Sequence, residues 1–246
     1  MSPFYDTVLR ENEQTVVFTG DCMGDVKYIY TRNMFNLEKR AFPGVGQWKI
    51  PQIEPVEYVQ GTDWVSFLDA KKKADKSASC HFYLDDYRFL RVWNNPEQYI
   101  PLLSRFAQVL SPDFSLFTDY PKVLQLYNHY RKHWLAAFWQ EHGIRVIPTI
   151  CWSTPDSYSW CFDGEPKESV VSVSSTGCCM SAANKAAFNE GYAAMILALH
   201  PSKVIYFGKD ILTDENAFAA DVIFVKNQFS DRFGRMNKAE VSNDQV

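Results

Sequence analysis

Carboxylates that directly follow apolar runs are the residues here best placed to do chemistry. Asp85 and Asp86 follow His81-Phe82-Tyr83-Leu84, and Asp113 follows Gln108-Val109-Leu110 inside Ser111-Pro112-Asp113-Phe114-Ser115. Two carboxylates that share a cavity shift each other's pKa, which divides acid from base. Side-chain alternation sends one of Asp85 and Asp86 inward. Pro112 stiffens its turn and fixes Asp113, the candidate nucleophile or general base. Asp86 or Asp85 is its candidate partner. The competing reading makes Asp85 and Asp86 caps on a polar rim and Asp113 an Asx-turn that closes a loop.

Further polar residues stand behind other apolar runs: Glu54, Ser115, Trp152 with Ser153, Ser174-Ser175-Thr176-Gly177, and Lys209 with Asp210. The Ser174 to Gly177 string reads as an anion cradle, because small residues before a helix can turn backbone N–H groups toward a ligand. Plain N-capping explains it equally. Lys209 could bind an anion or form a Schiff base, and is otherwise a solvated lysine. Trp152 could stack on a planar ligand or simply pack. No G-x-x-x-x-G-K-[ST] or G-x-G-x-x-G motif occurs, and no cofactor is indicated.

Metal chemistry is not expected. His129 and His133 stand four apart, but without H-E-x-x-H and away from the apolar run ends. The six cysteines form no C-x-x-C pair and read as free, mostly buried thiols.

These residues need elements that aim them at one place. Apolar runs start near residues 50, 82, 109, 145, 170 and 204, at intervals of 25–36 residues, with a seventh at Val222–Val225. Helices fit between them: Trp64–Ala74 with Asp63 as cap, a helix opened by Asn95-Pro96, Lys122–His142, a start at Thr154-Pro155-Asp156, and Ala182–Leu199. Strand, helix, strand at this interval means right-handed parallel crossovers, with ligands at the carboxyl ends of the strands. A complete eight-unit barrel takes about 250 residues. The expected fold is therefore a reduced or irregular (β/α) barrel of six or seven parallel strands over 47–230, with a doubly wound open sheet as the alternative. Residues 1–46 read as an extension in which Val16–Phe18 and Tyr28–Tyr30 could form a hairpin. Residues 231–246 read as a polar, disordered tail.

Hydrophobic residues make up 46% of the 246 residues, enough for one large core. The net charge of -4 disfavours a surface devoted to nucleic acid. Apolar runs fall short of the roughly 20 residues of a membrane span. The N-terminus lacks a basic start followed by an apolar stretch, so a soluble, cytoplasmic protein is expected.

Four strings together, Leu84-Asp85-Asp86-Tyr87, Ser111-Pro112-Asp113-Phe114-Ser115, Val146-Ile147-Pro148 with Trp152-Ser153, and Val173 to Cys178, resemble an uncharacterised family of phages, plasmids and integrative elements of Gram-positive bacteria, domain of unknown function family 4417. The resemblance covers roughly residues 35–230 and implies a mobile-element context without an activity. The residues themselves suggest an enzyme acting on a small, anionic, nucleotide-like molecule or a nucleic-acid base. The alternative is a non-catalytic protein that captures a host protein or a metabolite.

Overall fold

The computed structural model describes residues 32–225 and the backbone of two short strands, β1 (Thr7–Val8) and β2 (Val17–Phe18). The chain divides into two compact units, Met1–Pro43 and Gly44–Val246. In the first, β1 and β2 pair antiparallel, with Thr7 opposite Phe18. The expected hairpin partner of Val17-Phe18, Tyr28–Tyr30, lies outside the described residues, as does the tail 231–246.

The second unit alternates strands and helices. In order these are β3 (Asp63–Ser66), α1 (Ala70–Lys73), β4 (Ala78–His81), α2 (Asp86–Asn94), α3 (Pro96–Leu103), β5 (Gln108–Leu110), α4 (Lys122–Glu141), β6 (Val146–Ile147), a 3-10 turn (Pro155–Ser159), β7 (Val170–Ser174), α5 (Ala182–Leu199), β8 (Lys203–Phe207), α6 (Asp214–Ala217) and β9 (Val222–Val225). Every pairing from β3 to β9 is parallel, in a sheet β3-β4-β5-β6 and a sheet β7-β8-β9. A single parallel bridge, Thr149 to Ser172, links the two. Strand order follows chain order, without the reversal of a doubly wound sheet.

Side chains from these strands meet in one apolar cluster: Leu110, Ile147, Val170, Ile205 and Phe207, with Tyr83 just past β4, and with Trp64, Ile223 and Val225 against them. Trp64 of β3 meets Phe207 of β8 edge-on at 5.2 Å. On the other face of β7 and β8, Phe188, Tyr192, Met195 and Leu199 of α5 cover Val171, Val173, Val204 and Tyr206. Helix α4 buries Trp134, Leu135, Phe138 and Trp139 completely or nearly so. Each such side chain contributes about 2–3 kcal/mol on leaving water.

The fold is thus parallel α/β. No ladder joins β9 to β3 among the described residues, so the expected barrel is not seen closed. The element expectations fail at several places. The run His81–Leu84 joins the sheet only through His81, and Asp85 and Asp86 stand at the start of helix α2, so helix geometry and not strand alternation aims them. The start at Thr154-Pro155-Asp156 yields only a 3-10 turn. Ile50–Ile53 is buried but makes no strand, because Pro51 has no N–H to give a ladder. The first parallel strand is instead Asp63–Ser66, where a helix running to Ala74 was expected. The aromatic and β-branched pair Trp64-Val65 favours a pleated surface, and only Ala70–Lys73 coils.

Candidate functional site

The loop after β5 is built by hydrogen bonds rather than left to solvent. The Ser111 hydroxyl accepts the Thr149 amide at 2.8 Å and meets the Thr149 hydroxyl at 2.9 Å, stitching the ends of β5 and β6 together. Asp86, in the first turn of α2, accepts the Ser115 hydroxyl at 2.8 Å and the Ser115 amide at 3.2 Å. Asn128 of α4 donates to the Ser115 carbonyl at 2.7 Å. The Arg131 guanidinium lies 4.0 Å over the Phe114 ring.

This frame holds Asp113 half-buried beside Cys151, Lys132 and Asp86. Burial raises the Asp113 carboxyl; Lys132 opposes that, Asp86 adds to it, and the net value is about 7. Cys151 lies four residues beyond β6, just after the Thr149–Ser172 bridge, and burial pushes its thiol well above the ordinary range.

Lys132 comes from the middle of α4 and is fully buried. Its ammonium donates to the Thr149 carbonyl at 2.8 Å and to Glu165 Oε1 at 2.5 Å. Burial alone would lower its pKa, but Glu165, Cys151 and Asp113 outweigh that and raise it. Burial likewise raises the Glu165 carboxyl, and Lys132 with His133 overcome it, holding Glu165 below its usual value. The result is a buried ion pair next to a carboxyl poised near neutrality.

The candidate residues fall into separate groups. Asp113, Asp86 and Ser115 come together. Asp86 there serves as an acceptor that fixes the loop, and Asp85 points to solvent, paired with Arg88 at 3.0 Å. Glu54 is not brought to the group: its amide and carbonyl bind the Gln140 side chain at the carboxyl end of α4. Trp152 packs on Phe188 at 5.3 Å and against Gly191, where a Cβ would sit 2.1 Å from the indole nitrogen. Ser153 is buried, and its amide donates to Ser157.

The Ser174 to Gly177 segment spends its hydroxyls internally. Ser174 donates to Thr176 at 2.9 Å, and Ser175 donates to the Lys209 carbonyl at 2.7 Å. Helix α5 starts later, at Ala182, and its N-terminus is capped by Ser181 at the Asn184 amide rather than by this segment. Gly177 adopts φ +86, which favours glycine. The side chain of Lys209 is exposed. A cavity of about 470 Å³ opens at the opposite, amino end of β7 and β8, beside Tyr58, Glu168 and Lys203.

Sequence reasoning missed Lys132, Glu165 and Cys151, and it set His133 aside with His129 for want of H-E-x-x-H. The available signal was in α4: a lysine and two histidines on a helix whose aromatic residues are also buried.

Residues 42–226 match a family described as a domain of unknown function, DUF4417. The chain is 36% identical over 173 residues to the "Gene 1 protein" of Mycobacterium phage D29, covering 70% of this chain and 64% of that protein. It shows the same identity over 173 residues to the "Gene 1 protein" of Mycobacterium phage L5, covering 76% of that protein. The chain thus spans under two thirds of the D29 relative. No solved structure matches. No described helix is long and apolar enough to cross a membrane.

Proposed function

The chain belongs to the DUF4417 family, and we propose that it is a phage enzyme performing acid–base chemistry at Asp113 in a barrel-like strand-end site. The supporting observation is the setting of Asp113: a half-buried carboxyl near pKa 7, held by a hydrogen-bonded loop beside the Lys132–Glu165 pair. A group that titrates near the working pH can both take and return a proton. Lys132 stabilises negative charge developing at that spot. The substrate class is a small anionic, nucleotide-like molecule or a free base. The common cluster of strand side chains supports the barrel reading, with the site at the carboxyl rim.

The test is a two-dimensional NMR titration of the protein with nucleoside monophosphates and free bases. Perturbations at Asp113, Ser115 and Cys151 that vanish in Asp113→Asn support the reading. Binding confined to Glu168 and Lys203 would move the site to the opposite rim. Binding at Asp113 with no conversion of any bound compound would leave a ligand-capture protein, not an enzyme.

A further inference from the structure

His129 and His133 lie one turn apart on α4, both fully buried, and their rings approach to 4.3 Å. Each ring is already anchored by one nitrogen. His129 Nε2 lies 3.0 Å from the Asp163 carbonyl, and His133 Nδ1 lies 2.9 Å from the Pro51 carbonyl. A carbonyl can only accept, so both of these nitrogens carry the proton. In the neutral rings the other nitrogen of each is then a bare lone pair.

Those lone pairs have no ordinary use. His129 Nδ1 is buried without a partner, and so is Glu165 Oε2. His133 Nε2 faces Glu165 Oε1 at 3.0 Å, which sets one acceptor against another unless a cation or an extra proton stands between them. One ligand atom from each of His129, His133 and Glu165 falls within 4.8 Å of the others.

The backbone is shaped for this approach. Gly164, with φ +77, lets the chain run so close to α4 that a Cβ there would be 2.7 Å from His133 Nδ1 and 2.6 Å from the Pro51 carbonyl. Histidines that donate their outer N–H to backbone carbonyls while aiming the inner nitrogen at a shared point are the usual arrangement around a bound metal.

We propose that His129 Nδ1, His133 Nε2 and Glu165 hold a divalent first-row transition ion of the zinc class. Two imidazoles and one carboxylate suit such an ion and leave further positions for other ligands. Lys132 engages Glu165 at Oε1, which leaves Oε2 for the ion. Because the three ligands are buried, the ion enters as the chain folds and exchanges slowly. The site lies beside the Asp113 group, joined to it through Lys132, but does not depend on Asp113 acting on a substrate.

The experiment is to express the full chain in zinc- and in cobalt-supplemented medium, dialyse it, and count metal by mass spectrometry. The expected result is about one ion per chain, with visible d–d absorption in the cobalt protein. His129→Ala and Glu165→Gln are expected to lose most of the metal, and Asp113→Asn to keep it. A folded wild-type protein without bound zinc or cobalt would overturn the assignment. So would full metal content in folded His129→Ala and Glu165→Gln. Where those variants fail to fold, the wild-type cobalt spectrum decides alone: imidazole-bound absorption supports the site, and its absence overturns it.

Discussion

The loop after β5 and the inner face of α4 supply the two halves of one polar group, and they are built in opposite ways. The loop carries Asp113 half-buried just behind a strand, where Asp86, Ser115 and Asn128 fix it by hydrogen bonds. The helix carries Lys132 and His133 where hydrophobic residues would ordinarily pack, and they survive there only because Glu165, Thr149 and Pro51 meet them. A strand-end loop can be polar at little cost. A polar helix face in the core needs a partner for every charge.

This contrast can be broken most sharply at Lys132. Lys132→Met strands the Glu165 carboxylate in the core and is expected to lower stability by about 3–5 kcal/mol in urea unfolding. Lys132→Met with Glu165→Gln should recover part of that loss, because no bare charge remains; equal losses in the single and double variants would mean the ion pair is not the cause.

The loop half responds to pH. Burial raises the Asp113 carboxyl to about 7 in the folded protein, against about 3.9 in an unfolded chain. Between those values the folded state holds a proton that the unfolded chain has released. This contribution to stability is complete below pH ~4 and is lost as pH rises through ~7. Asp113→Asn is therefore expected to stabilise the protein at pH 8 by up to about 4 kcal/mol relative to its effect at pH 4. Thermal unfolding of both proteins across that range checks it.

Smaller effects separate loop scaffolding from packing. Ser115→Ala removes the hydroxyl that Asp86 accepts and should cost about 1 kcal/mol, read as a lower melting temperature. Lys209→Ala, at an exposed side chain, should stay within about 0.5 kcal/mol. A Lys209 effect as large as that of Ser115 would show that the rim beyond β8 belongs to the polar group.

What could be read from the sequence follows the same division. Helix α5 over Ala182–Leu199 and strand β9 over Val222–Val225 match their expected spans, and α4 ends one residue short of His142, because periodicity and stop residues are local signals. The Asp113 loop was legible because a proline-stiffened carboxylate behind an apolar run is also local. The first strand was not, since four residues such as Asp63–Ser66 are too few to show a period. Nor was the role of Lys132, His133 and Glu165. Polar residues on a helix look like its wet face until the segments that cover them, here Ile50–Ile53 and Cys161–Glu165, are placed. Those segments approach α4 from distant parts of the chain, and Ile53 reaches the second through the Gly164 carbonyl at 2.8 Å.

The most direct measurement is the carbon-13 NMR titration of the Asp113 side-chain carboxyl in the folded wild-type protein. The structure predicts a midpoint near 7 that falls only in part in Asp86→Asn, because burial supplies most of the rise and the neighbouring negative charge the smaller share. A midpoint near 4 in the wild type would contradict the account, because Asp113 would then be an ordinary solvated carboxylate.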